Sequence, residues 1–296
     1  MWHAVQYAGQ QEGEQMTIGE PIRIADDPVV SDSFDGASTE AESLAPAVTR
    51  ASAILDLLAE NHGMPAGPSE LARRLGLPKS SIANVCAALA DTGLLRRVGT
   101  GFALGRRLAE LGGAYLASID QVQEFHEASR ELETGSEETV QLAVLDGTQM
   151  TYLARHDGRQ PVRLQSQIGR RLPASVTATG KAALASLEPD EVARRFEGVE
   201  LPQLTRRSLL NLDALLADLQ VVRARGYAMD DEETVEGVVC FGVAIPGRSP
   251  GEGPYAVSIT LLKARATFDR VPALIADLHR LAARLSDPLR AVRQSR

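Results

Sequence analysis

Apolar residues recur along this chain with two different periods, and the change from one to the other divides it. From Ala47 onward Val48, Ala51, Ile54, Leu55, Leu57 and Leu58 repeat at helical spacing and stop near Asn61-His62-Gly63. Gly67-Pro68-Ser69-Glu70 opens a second, shorter helix, with glycine able to cap, proline at the first helical position and glutamate at the third. Gly76, tolerant of the left-handed conformation, ends it. Pro78 favours the start of a third helix, from near Lys79 to Thr92, with Gly93 beyond. LLRRVGTGFALG then alternates and predicts a small hairpin turning at Gly99-Thr100-Gly101, followed by a connecting helix from Arg106 to Ser118.

Beyond that helix the period shortens. TVQLAVL and MTYLARH read as strands joined through Asp146-Gly147-Thr148, and VRLQS as another. Helices follow at ATGKAALASL, PDEVARRF and LDALLADLQVVRAR, then the strands VVCFGVAI and YAVSITLL, then a last helix from Arg270 to Leu285. Such mixing predicts an α/β domain whose largely antiparallel sheet is covered by helices. Residues 1–45 are polar and acidic without periodicity, the composition expected of a disordered tail.

The third helix raises the first chemical question. Ile82, Val85, Cys86 and Leu89 share one face, whereas Ser80, Asn84 and Ala87 lie opposite, flanked by Lys79, Ser81 and Ala83. A polar outer face is what any solvated bundle helix shows. Here it follows a short helix and a tight turn and precedes a basic hairpin, which is the order of a winged helix-turn-helix. In that module Lys79 and the early amides meet phosphates, Ser81 and Asn84 reach base edges, and Ser80 is a further DNA-binding candidate on the same outer face. Arg96, Arg97, Arg106 and Arg107, with Arg50 from the first helix, neutralise backbone charge.

Composition sharpens this reading. The net charge of −8 looks wrong for a DNA binder, but residues 1–45 hold nine acids against Arg23 alone, while residues 46–118 hold eight basic residues against five acids. At 296 residues and 44% apolar the chain is long enough for two domains with sizeable cores. It has no apolar run of membrane-spanning length and no secretion signal at MWHAVQYAGQ, so a cytoplasmic protein is expected. Cys86 and Cys240 lie in unrelated segments and the five histidines lack ligand spacing, so neither a disulfide framework nor a metal site is expected.

The second half offers little catalytic chemistry. ATGKAA fails as a phosphate loop, because Ser175 stands where a glycine is needed and no Ser or Thr follows Lys181. Thr177-Ala178-Thr179-Gly180 nevertheless opens a helix whose free amides can hold a carboxylate, although an ordinary capped helix looks the same. Strand alternation gives one sheet face Cys240, Ser258 and Thr260. Asp230 precedes that sheet in Asp230-Asp231-Glu232-Glu233, a run that reads mostly as a solvated loop. An enzyme with Cys240 as nucleophile and Asp230 as partner is a rival reading, as is a redox sensor through Cys86 or Cys240. Cys240 has no histidine near it in sequence and both thiols look buried.

ELARRLGLPKSSI, ADTGLLRR and the FALG closing the wing resemble the N-terminal domain of the IclR family of bacterial transcriptional regulators. RRLPASVTATGKAALASL and RARGYAMDDEETVEGVVCFGVAIP resemble its C-terminal domain. The family usually has a basic residue where this chain has Asn84, which implies a different preferred operator. The resemblance implies an α+β multidomain protein. A tail (1–45) is followed by a winged helix-turn-helix (46–105), a linker helix (106–119) and a GAF-like α/β sensor domain (120–290). It also implies a ligand-responsive repressor that is not an enzyme and needs no cofactor. Carried over by motif, the effector positions are Leu172, Ala178, Thr179, Asp230, Val238, Cys240, Ser258 and Thr260. The implied partners are double-stranded DNA with a pseudo-palindromic operator, a second copy of the chain in a homodimer or dimer of dimers, and a small effector. Helix-end amides facing Asp230 favour a hydroxylated or oxo acid over a plain fatty acid.

Overall fold

The computed structural model describes residues 44–61, 63–159, 167–245 and 253–286. The expected acidic tail up to residue 43 and the VRLQS strand lie outside them.

Helix α1 (Pro46–Glu60) starts with proline at its first position and buries Ile54 and Leu58. Helix α2 (Pro68–Leu75) ends at Gly76, whose φ of 66° is left-handed and whose N–H donates to Ala72 O. The extended Pro78 launches α3 (Lys79–Asp91), which buries Ile82, Cys86 and Leu89. Strands β1 (Leu95–Val98) and β2 (Gly101–Leu104) pair antiparallel, from Leu95 opposite Leu104 to Val98 opposite Gly101. Ala66 adds a bridge by exchanging two hydrogen bonds of 2.9 Å with Phe102, which ties the α1–α2 connection to the wing. One core, with Ile54, Leu58, Leu71, Ile82, Cys86, Leu95 and Phe102, holds the five elements together. Each large side chain there contributes about 1.5–3 kcal/mol of transfer free energy.

Helix α4 (Arg107–Ala117) has no buried residue. A separate helix, α5 (Asp120–Ala128), follows it and buries Val122 and Phe125; the sequence reading had no helix there. Strands β3 (Thr139–Asp146), β4 (Gln149–Asp157) and β5 (Arg171–Pro173) precede helices α6 (Ala178–Ala185), α7 (Pro189–Arg195) and α8 (Leu212–Arg225). Strands β6 (Ala228–Asp231), β7 (Val238–Ile245) and β8 (Tyr255–Leu262) and helix α9 (Arg270–Ser286) complete the described chain. The six strands run in the order β5-β4-β3-β8-β7-β6, each pair antiparallel.

Alternation splits the sheet into two faces. Val140, Leu142, Val239, Phe241, Val257 and Ile259 pack against α5 and α9, where Phe125, Leu274, Leu278 and Leu281 close one core. Ala143, Tyr152, Ala228 and Ala256 point the other way, toward α6, α7 and α8, with Ala183, Leu184, Val192, Leu215 and Leu219. The acidic run departs from expectation. Asp230 and Asp231 form the end of strand β6, and none of the four acids is fully exposed. Each finds donors that offset its desolvation: Arg207 and Lys263 serve Asp231 and Glu232, and Lys181 serves Glu233.

Candidate DNA-reading and effector sites

Two groups of residues carry chemistry. The first is the opening turn of α3. Lys79, Ser80 and Asn84 are exposed there, and no side chain caps the helix, so its first amides point outward. Ser81 is half-buried, and Arg50 of α1 donates from Nη1 to its Oγ at 2.8 Å. Sequence reasoning gave Arg50 a phosphate; the structure couples it to Ser81, whose hydroxyl proton stays available. On the wing Arg96 and Arg97 are exposed, and the Arg97 guanidinium stacks 5.1 Å from the centroid of the buried Phe102 ring. A guanidinium held this way loses little further freedom when it meets a phosphate.

The second group is the sheet face under α6. Strand register sets Asp230, Cys240, Thr260 and Thr139 side by side in one row across β6, β7, β8 and β3. The next row holds Gly242, Ser258 and Gln141. A Cβ at residue 242 would come 2.5 Å from Ala178 O and 3.1 Å from Thr179 N, so glycine there lets the first turn of α6 lie directly on β7. Thr177 caps that turn by accepting from Gly180 N at 3.1 Å. Ala178, Val238 and Cys240 touch in a small apolar cluster, and Thr179 Oγ1 lies 3.3 Å from the Tyr152 hydroxyl.

Electrostatics distinguish this face from ordinary core. The buried Asp230 carboxylate accepts from Glu233 N at 2.7 Å, Thr234 N at 3.2 Å and Thr234 Oγ1 at 2.7 Å. Burial still pushes its pKa above the usual carboxylate range. Burial, and then the neighbouring Asp230 charge, hold the Cys240 thiol well above its ordinary value, although Thr260 Oγ1 donates to the sulfur at 3.2 Å. A thiol so held stays protonated and is a poor nucleophile. Behind the row, Lys181 Nζ of α6 meets Glu233 at 2.5 Å and Asp218 of α8 at 3.2 Å. Burial pushes Glu233 up to about 7 against the pull of that ammonium.

Seven of the eight expected effector residues thus converge on the α6 end of the sheet. Leu172 is set apart: it pairs with Met150, which pairs with Leu145, at the opposite edge, and it packs on the core under α6 to α8. Sequence reasoning missed Thr139, Gln141 and Tyr152. A glutamine two residues from a threonine inside the apolar TVQLAVL was the available signal. An open cleft of 350 Å³ at Val199, Leu201, Leu210 and Leu212 lies off these rows, and Glu200 is the one titratable residue lining it.

The family model described as the IclR helix-turn-helix domain matches residues 47–99, and that of the bacterial transcriptional regulator IclR C-terminal domain matches residues 113–287. The HTH-type transcriptional regulator KdgR of Escherichia coli K12 is 33% identical over 235 residues, covering 79% of this chain and 88% of that protein. The transcriptional repressor IclR of the same organism is 31% identical over 240 residues, covering 79% and 86%. Among solved structures, the Thermotoga maritima IclR superimposes with a TM-score of 0.63 at 27% identity, covering 81% of this chain and 96% of that one.

Proposed function

Because the chain belongs to the IclR family of bacterial transcriptional regulators, we propose that α3 and the wing read its operator while the sheet face under α6 senses the effector. It is a DNA-binding transcriptional regulator with an effector-binding C-terminal domain; the Cys240 thiol, held protonated by burial, is poorly suited to act as a nucleophile. At the DNA, the opening turn of α3 enters the major groove. Ser81 and Asn84 address base edges, Lys79 and Ser80 meet phosphates, and Arg96 and Arg97 grip the backbone beside the groove. Arg50 acts through Ser81, holding its hydroxyl in one orientation.

The observation that supports the sensing site best is the register. Asp230, Cys240 and Thr260 in one row and Ser258 in the next put hydroxyl, thiol and carboxylate groups below the uncapped amides of Ala178 and Thr179. A small acid fits those amides by its carboxylate. Its hydroxyl, or the hydrate of its oxo group, donates to Asp230, and the raised pKa of that residue eases the meeting of two acids. Val238 supplies an apolar wall, and Leu172 bounds the α6 face of the sheet from its opposite, β5 edge. Residues 46–105, 106–119 and 120–290 serve as reader, connector and sensor. The chain works as a repressor in a homodimer or dimer of dimers on a pseudo-palindromic site, because a single winged helix buries little surface.

The test is a thermal-shift screen of small hydroxy and oxo acids on the whole chain. A ligand at a hundred times its Kd stabilises by about 2.7 kcal/mol. Ser258→Leu should remove that shift and the ligand response while leaving ligand-free DNA binding intact. A Ser258→Leu chain that responds normally to the same acid moves the sensing site elsewhere.

A further inference from the structure

Strand β4 carries one residue more than its partner just where it turns a side chain toward α6. Leu142 of β3 lies opposite Ala154 and Ala143 opposite Tyr152, so Leu153 is left over as a bulge. Leu153 and Ala154 both pack into the core against α5 and α9, whereas Tyr152 turns with Ala143 to the α6 face. A bulge re-aims the side chain beside it, and here that side chain is an aromatic ring.

Small neighbours give the ring room. Ala143 faces Tyr152 across one ladder and Ala256 faces Ala143 across the next, and both alanines are fully buried. The phenol reaches the first turn of α6, where its oxygen lies 3.3 Å from Thr179 Oγ1. The backbone beneath is pinned, because Tyr152 N donates to Arg170 O at 3.0 Å and Tyr152 O accepts from Gly169 N at 2.7 Å. The ring therefore stands as a wall between β4 and the opening of the helix.

Burial above all keeps the phenol protonated, and the charge of Asp230 adds to that effect. It is thus a neutral donor beside a buried anion, where an arginine would be taken up by Asp230 itself. Its contact with Thr179 is long for a hydroxyl pair, which usually closes to about 2.7–2.8 Å. Exchanging that contact for a charge-assisted bond to a carboxylate gains more than it loses.

We propose that Tyr152 is a further effector-binding residue, whose phenol donates to the effector carboxylate beside the amides of Ala178 and Thr179 and whose ring restricts the site to short aliphatic acids. The inference rests on the sensing-site reading above. An aryl acid would have to displace a ring whose backbone is held on both sides. A hydroxy or oxo acid with a short alkyl chain does not.

Lactate and mandelate present the same carboxylate and α-hydroxyl and differ only in a methyl against a phenyl. Calorimetric titration of the whole chain with each, and with glycolate and α-oxobutyrate, compares the wild type with Tyr152→Phe, Tyr152→Val and Ser258→Leu. The wild type should bind a short acid and not mandelate. Tyr152→Phe keeps the packing and the size limit and should weaken the short acid about fivefold, the loss of one hydrogen bond. Tyr152→Val should weaken it further and admit mandelate. Should the smaller side chain fail to fold, the wild-type contrast of lactate with mandelate still tests the size limit, and Tyr152→Phe the donor. Mandelate bound by the wild type as tightly as a short acid overturns the inference, and so does unchanged affinity in Tyr152→Phe. If Ser258→Leu abolishes short-acid binding in that case, the sensing site stands without Tyr152. Binding by Ser258→Leu as by the wild type, or a wild type that takes none of the short acids, overturns the site and the inference together.

Discussion

Arg50 and Ser81 are 31 residues apart in sequence, yet their contact decides how the hydroxyl proposed to read a base edge is presented. The hydroxyl accepts from the guanidinium, which aims its own proton outward. Ser81→Ala should cost about 1–3 kcal/mol at the base pair it addresses. Arg50→Ala should cost a similar amount at that same position, and the double variant less than the sum, since both remove one interaction. Titration of operator and single-mismatch duplexes checks this, and additive losses would mean that Arg50 acts on phosphate alone. At this scale the sequence was readable wherever the face a side chain takes follows from its own strand. Period two found Cys240, Ser258 and Thr260. It could not find the Lys181–Glu233 pair, whose members are 52 residues apart and meet only because α6 lies over the β6–β7 turn. Nor could it see that Asp230 is spent partly on the backbone of its own turn.

Among the elements, α6 and β7 depend on each other most. With no side chain at Gly242, the helix backbone rests on the strand, which fixes the distance between the α6 amides and the Cys240 row. Gly242→Ala sets a methyl against backbone, where no rotamer change helps. The expected loss is about 1–3 kcal/mol, read as a lower denaturant midpoint at unchanged slope, together with a weakened effector shift. An unaltered midpoint would show that the helix can lift away freely. The long periodic elements were legible from α1 to α9. Three short ones were not: strand β5, only three residues long, shows no alternation to read, and α5 and β6 were hidden for different reasons. In α5 the apolar positions Val122, Phe125 and Ala128 are diluted by DQ, QE and HE, so the pattern is weak until α9 covers it. Strand β6 carries two aspartates in four residues, against strand propensity, and pairing with β7 overrides that preference.

For the whole molecule, α4 poses an unanswered burial. It spans 11 residues, none of them buried, and leaves Leu111 48% and Tyr115 55% exposed. An apolar stripe of this kind on an isolated helix is expected to be covered by its copy in a dimer. Changing Leu111→Asp and Tyr115→Asp together should halve the mass seen by light scattering and weaken operator binding, with little change in the circular dichroism of the chain. A wild-type chain that scatters as a monomer at micromolar concentration would refute the pairing. The division into a reader and a sensor was legible from the switch in period. The strand order was not, because β8 inserts between β3 and β7 and nothing local in YAVSITLL names its neighbours.

That insertion has a consequence in time. The wing is complete at Leu104, but the central ladder of the large sheet joins Thr139 to Thr260 and Val144 to Tyr255, so it cannot close until β8 has been made. Chains emerge from the ribosome at about 5–20 residues per second, which separates the two events by roughly 8–30 s. During that interval the nascent chain carries a finished DNA-binding head and an open, aggregation-prone half-sheet. A stall or premature stop between residues 105 and 254 therefore releases a head that no effector can address.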